Sequence, residues 1–316
     1  MRFLNELKEG DKIKEIYLCK RVSTGQTKTG KTYWTVTLQD KTGTVDGKIW
    51  DPDSPGIDDF EARDYIWVCG EVTSFNGMTQ LNMRQVRKAS EGEYTPEDYL
   101  PCSDRDTCEM YKELLALIDT ISAPYMKKML MAFFGNEDFQ KAFCFHSAAK
   151  SVHHGFVGGL LEHTLSVAQN CDFFAKHYGY LDRDLLLTAA ICHDIGKVKE
   201  LSPYPENDYT DEGQLLGHIV MGAEMVRDVI RTIPEFPKVK ANELVHCILS
   251  HHGELEYGSP KKPALMEAVA LSFADNIDAK METMKEALNT PTVGIEWQGY
   301  NKFLETNIRR TSKEEV

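Results

Sequence analysis

A small β-barrel followed by an all-helical domain is the architecture the sequence predicts, a multidomain β + α chain. The spacing of apolar residues changes from every second position to every third and fourth near residue 104. A polar, acidic, Pro-punctuated stretch, Glu91 to Pro101, lies at the change. The 316 residues, 42% of them apolar, suffice for two cores. The expected division is a strand domain over 1–90, a linker over 91–103 and a helical domain over 104–316.

The strands come first. Lys12–Thr24 carries Ile13, Ile16, Tyr17, Leu18 and Val22. Beyond Thr24-Gly25 and Thr29-Gly30, the run Tyr33–Leu38 alternates strictly, with Trp34, Val36 and Leu38 on one face and Tyr33, Thr35 and Thr37 on the other. The turn Asp40-Lys41-Thr42-Gly43 leads into a strand over Thr44–Trp50. Tyr65–Phe75 and Thr79–Val86 follow, separated by the hairpin signal Asn76-Gly77. Five short strands at this spacing fit a closed barrel of the OB type better than a sandwich. Trp34, Trp50 and Trp67 alternate with Val and Ile, which predicts core positions. A barrel of this type binds single strands through aromatic platforms with basic flanks. Tyr33 and Phe75 are the stacking candidates; Tyr33 reads equally well as ordinary strand surface. Lys31 and Arg84 are the phosphate candidates, with Lys20, Arg21, Lys28, Arg87 and Lys88 nearby.

Helical spacing then recurs over Met110–Ile121, Pro124–Phe134, Gly159–His177, Asp184–His193, Gly217–Thr232, Ala241–His251 and Pro263–Ala287. Thr311–Val316 is polar and expected to fray. No run of apolar residues is long enough to span a bilayer, and the opening Met1–Lys8 suggests neither a signal peptide nor an anchor. Eight cysteines without Cys-x-x-Cys spacing, most within apolar runs, read as reduced core thiols of a cytoplasmic protein. The net charge of −13 is uneven: residues 1–90 carry 14 basic and 13 acidic side chains, residues 91–316 carry 22 and 36. An acidic total of this kind restricts nucleic acid to a localised, salt-sensitive contact surface.

The chemistry centres on His193-Asp194, at the end of an apolar helix and before Ile195-Gly196-Lys197. Aspartate is rarely buried unless it is paired or binds a metal. His163 lies on an inward stripe between Leu160 and Val167. Asp275 falls four residues after Leu271, His251-His252 close a helix, and His218 opens one after Gly217. One histidine on an apolar face is ordinarily a core residue bonded to a carbonyl. Several converging from separate helices are poorly explained that way. Imidazole and carboxylate without thiolate suit Mn²⁺, Fe²⁺, Co²⁺, Ni²⁺ or Zn²⁺, and the ligand types do not choose among them. If Asp194 bridges two such ions, the pair can activate water for an in-line displacement at phosphorus. Lys197 would then offer a cation to the phosphate, unless it is simply a solvated lysine after a helix stop.

The pattern His163…His193-Asp194…Asp275 resembles the signature of the HD phosphohydrolase superfamily, an all-helical metal-dependent fold, over roughly residues 140–285. The resemblance implies one metal on His163, His193, Asp194 and Asp275, with His218, His251 and His252 similar to second-metal ligands of binuclear members. The segments His153–Thr164, Tyr209–Ile219 and Ser250–Pro260 resemble the YhaM family of 3′–5′ exoribonucleases, which joins an OB-fold to an HD domain. That resemblance covers nearly the whole chain. It implies a single-stranded RNA substrate, with single-stranded DNA as a second, trimmed from the 3′ end to nucleoside monophosphates. Two ions are implied, Mn²⁺ foremost, with Asp194, His193 and Lys197 at the chemistry. By the same analogy His153 and His154 would bind the scissile phosphate or terminal nucleotide, although a helix cap or packing explains them as well. Asp278, one turn beyond Asp275, is expected to support a ligand.

Two other readings stand beside this one. A phosphohydrolase of small or cyclic nucleotides would use the same centre, but the Gly-Tyr-Pro signature of cyclic-di-GMP hydrolases is absent after His251-His252. A non-catalytic nucleic-acid-binding protein is disfavoured by the intact ligand set. The acidic helical domain leaves surface for a homo-oligomer.

Overall fold

The computed structural model describes residues 1–27, 29–75, 78–150, 154–289 and 296–312. The chain divides into two compact units, Met1–Cys102 and Ser103–Val316.

The first unit is a closed barrel of β1 (Lys12–Gln26), β2 (Thr32–Asp40), β3 (Gly43–Ile49), β4 (Tyr65–Phe75) and β5 (Met78–Lys88). Its strand order is β1-β2-β3-β5-β4. Only the β3–β5 pairing is parallel among these strands, with Gly47 opposite Leu81. A five-stranded barrel closed in this order is the OB-fold. The alternation works as a period-two rule demands: Val36 and Leu38 are fully buried, and Trp34 packs against the same core. Ile13, Tyr17, Ile66, Val68, Leu81 and Val86 complete it. Phe75 pairs with Met78 at the end of the β4–β5 ladder; Asn76 and Gly77, the expected hairpin turn, lie outside the described residues, as does Lys28.

Two of the three tryptophans expected in the core are not there. On β3 the inward positions are Gly47 and Ile49, so Trp50 follows on the outward side, 48% exposed. On β4 the buried residues are Ile66, Val68, Gly70 and Val72, which turns Trp67 outward beneath the Arg87 guanidinium. At Gly47 the end of the Met83 side chain fills the space a Cβ would take. That small residue hid the parity of the strand. Part of the stretch expected to link the domains is packed on the barrel: Tyr94 stacks on Tyr65 at 3.8 Å between ring centres, and the Tyr99 carbonyl accepts from Gln39.

The second unit holds α1 (Thr107–Asp119), α2 (Pro124–Phe134), α3 (Glu137–Phe145), α4 (Gly159–His177), α5 (Arg183–Cys192), α6 (Lys197–Glu200), α7 (Asp211–Arg231), α8 (Lys238–Leu249) and α9 (Met266–Asn289). A hairpin of β6 (Trp297–Asn301) and β7 (Thr306–Arg309) follows. Every residue from Leu185 to Cys192 is buried, so α5 is the central helix, and α4, α8 and α9 each pack against it. The described helices cannot cross a membrane, since none is long and apolar enough. All eight cysteines are free; Cys19, Cys171, Cys192 and Cys247 are buried, whereas Cys108 is exposed.

Candidate metal centre

Four histidines reach one carboxylate, Asp194, and a fifth, His252, stands beside two of them. His163 comes from the inward face of α4, and His193 and Asp194 stand just past the C-terminus of α5. His218 comes from α7, His251 and His252 from the turn after α8, and Asp275 from α9. Asp194 is 2% exposed, and His193 and His251 are fully buried.

Two glycines make the convergence possible. Gly217 has φ +73°, which breaks α7 and lets His218 restart it at a new angle. Both the His218 backbone N–H and its Nδ1 donate to Glu200 Oε1, each at 2.9 Å. At Gly196 a Cβ would lie 2.1 Å from the His218 carbonyl oxygen, so only glycine lets α7 approach Asp194 this closely.

The ring orientations share one rule. In each of the five histidines Nδ1 faces an acceptor: Asp278 Oδ2 for His163, the Ala190 carbonyl for His193, Glu200 for His218, the Ile248 carbonyl for His251 and the Tyr257 carbonyl for His252. An Nδ1–H bonded outward leaves Nε2 as a bare lone pair. Those lone pairs crowd together. His163 Nε2 is 3.1 Å from His193 Nε2 and 3.3 Å from Asp275 Oδ1. Asp194 Oδ2 lies 3.4 Å from Nε2 of both His163 and His193, while Oδ1 lies 3.4 Å from His218 and 3.6 Å from His251. Asp194 Oδ1, His218 Nε2 and His251 Nε2 are buried acceptors without a hydrogen-bond donor. Acceptors at such separations repel unless a cation lies between them. Ligands held about 2.1 Å from a metal are about 3.0–3.4 Å from one another, so the donor set fits a metal centre.

Protonation tells the same story. Burial opposes a charge on His163, but the Asp194, Asp275 and Asp278 carboxylates outweigh it and raise its pKa well above the usual imidazole value. His251 is held well below that value by burial, with His252 and His193 beside it, so its imidazole is neutral. Burial would raise Asp194, yet Lys197 and His193 keep it ionised. Lys197 Nζ donates to Asp194 Oδ2 at 2.6 Å. Above the cluster opens a cavity of about 650 Å³, lined by His154, His163, Lys197, His218, His252 and Asp275 among others.

The HD domain model matches residues 160–280, which hold every one of these ligands. The 3′–5′ exoribonuclease YhaM of Bacillus velezensis is 35% identical over 283 residues, 88% of each chain. The Bacillus subtilis YhaM exoribonuclease matches to the same extent. The chain belongs to the YhaM family. The second OB-fold domain of replication protein A from Methanococcus maripaludis, at 14% identity and TM-score 0.24, covers 29% of this chain and 98% of its own. At that score the barrel's assignment rests on its strand order alone.

Of the site residues expected of a YhaM chain, His163, His193, Asp194, His218, His251, His252 and Asp275 are brought together, and His153 lies outside the described residues. His154, 3% exposed, gives Nε2 to Asp278 Oδ2 at 2.9 Å. Asp278 also accepts from Ser166, so it holds His163 and His154 without facing the cluster's centre. Tyr33 lies 5.2 Å from Trp50 and beneath Lys48 Nζ on the outer face of β2 and β3, and Trp50 Nε1 donates to Asn82 of β5. Lys31 is 3.5 Å from Asp51, Arg84 pairs with Glu71, and Phe75 is 64% exposed at the end of β4. Sequence reading missed Glu200, which no spacing relates to His218, and Trp50 as a surface residue.

Proposed function

We propose that this chain is a metal-dependent 3′–5′ exoribonuclease that shortens single-stranded RNA to nucleoside monophosphates, with two divalent ions at the cluster. The observation that carries the two-ion reading is the division of Asp194: Oδ2 faces His163 and His193, Oδ1 faces His218 and His251. His163, His193, Asp194 and Asp275 would hold one ion; His218, His251, His252 and the other oxygen of Asp194 would hold the second. Mn²⁺ is the ion to try first, with Fe²⁺, Co²⁺, Ni²⁺ and Zn²⁺ behind it. Such ions supply activation of water at neutral pH and neutralisation of charge on the phosphodiester.

The chain's own groups do the rest. Lys197 stays protonated because Asp194 offsets its burial. One N–H is spent on Asp194 and two remain for phosphate oxygens at the cavity wall. His154, fixed by Asp278, has a buried Nδ1 without a partner at the same wall and is a candidate phosphate or sugar contact. On the barrel, Tyr33 with Trp50 forms a stacking platform, and Lys48, Lys31 and Arg84 supply cationic flanks, with Phe75 as a second aromatic. RNA is the first substrate and single-stranded DNA the second. Free thiols at all eight cysteines suit the reducing cytoplasm.

His193→Ala and Asp194→Ala should abolish RNA cleavage in Mn²⁺ while gel-shift binding of the same RNA persists. Metal-dependent cleavage retained by the purified double variant would refute the assignment.

A further inference from the structure

Around the cavity mouth stand three exposed aromatic side chains that none of the roles above employs. Tyr209, 45% exposed, pairs with Leu201 in an isolated antiparallel bridge and lies under Lys150 Nζ. Tyr257, 62% exposed, ends the single turn Leu255–Tyr257, and its carbonyl is the acceptor that orients His252. Phe303, 64% exposed, sits between β6 and β7, where the hairpin turn reaches the cavity wall. One exposed aromatic needs no explanation. Three, from distant parts of the chain, lining the cavity that opens on the metal cluster, contribute little to any core. The lining also holds Lys150, Lys197 and Lys280 for phosphate oxygens, alongside the acids Glu200, Asp275 and Glu305.

We propose that Tyr209, Tyr257 and Phe303 form a base-binding rim that stacks the last nucleobases of the strand, with the C-terminal hairpin delivering Phe303. This rests on the exoribonuclease reading and specifies what the site holds: unpaired, splayed nucleotides of any sequence, because every base has a π-face. A base still paired in a duplex is stacked on its neighbour and cannot be splayed into the rim, so the rim selects single-stranded ends.

The test uses the full-length protein with Mn²⁺ and 5′-labelled single-stranded RNA whose last nucleotide is either normal or abasic. Stacking of about 1–3 kcal/mol per base converts to roughly 5- to 150-fold. The wild type should lose kcat/KM by a factor in that range on the abasic end. The Tyr257→Ala/Phe303→Ala variant should lose a similar factor on normal RNA and nothing further on the abasic end, and Tyr257→Phe/Phe303→Tyr should restore the rate. Losses that multiply independently, or no loss in either arm, overturn the rim alone. A wild type that cleaves neither RNA overturns the exoribonuclease reading together with it.

Discussion

At Asp194 the two carboxylate oxygens serve different histidine pairs, so even an isosteric change should be severe. Asp194→Asn removes the charge and turns an N–H₂ toward two imidazole lone pairs. Metal content measured by elemental analysis should fall below the two ions per chain proposed for the parent, and cleavage should drop more than about 100-fold, since metal charge stabilisation supplies several kcal/mol. A variant with full metal content and parental rate would exclude the bridge. Asp278 acts through His163 rather than on the centre. Asp278→Ala should weaken metal affinity by about 10–100-fold in a titration of stripped protein, the range for groups that orient ligand histidines. The seven candidate ligands were legible because several histidines and aspartates fall at inward faces or ends of separate helices, which core packing alone explains poorly. Glu200 was not: its role comes from the break at Gly217, which aims His218 at it, and no periodicity records that encounter.

Helices and strands were legible wherever burial is one-sided. β4 and α4 have the bounds expected, because each keeps one period over its full length. α3 went unread, since its nine residues offer only Phe143 as a fully buried apolar anchor. The β6–β7 hairpin went unread because Ile308 is its one buried side chain. The packing of α6 on α7 depends on Gly196. Gly196→Ala should force the two apart, lowering both melting temperature and metal affinity; a variant unchanged in both would disprove the close approach. The start of α5 is tied to α4 by Arg183, which donates to Asp172, and Lys176, one turn along α4, donates to the same carboxylate. Burial would raise the Asp172 carboxyl, but these two cations hold it below its ordinary value of 3.8. A depressed carboxyl stabilises the fold above its unfolded pKa, and that contribution is lost as pH falls through the folded value. Asp172→Asn should therefore melt earlier than the parent at pH 7, and the gap should close below about pH 4. A gap independent of pH would show that the ion pairs contribute nothing.

For the whole molecule, charge and aromatic surface decide what the substrate can be. The total of −13 leaves nucleic acid only local footholds, and the barrel's outer face over β2 and β3 is the one proposed for it. Trp50→Ala should weaken single-stranded RNA binding by roughly 5- to 150-fold, one stacked base, with metal content as in the parent. Unchanged affinity would move the strand to another face. A hydrolase of mononucleotides or cyclic dinucleotides has no use for such a platform. The most direct test is to incubate 5′-labelled single-stranded RNA with the full-length protein and Mn²⁺. A ladder that shortens from the 3′ end, with nucleoside 5′-monophosphates as the released product, is the predicted result. Intact RNA beside hydrolysed small nucleotides, or fragments cut internally, would contradict it.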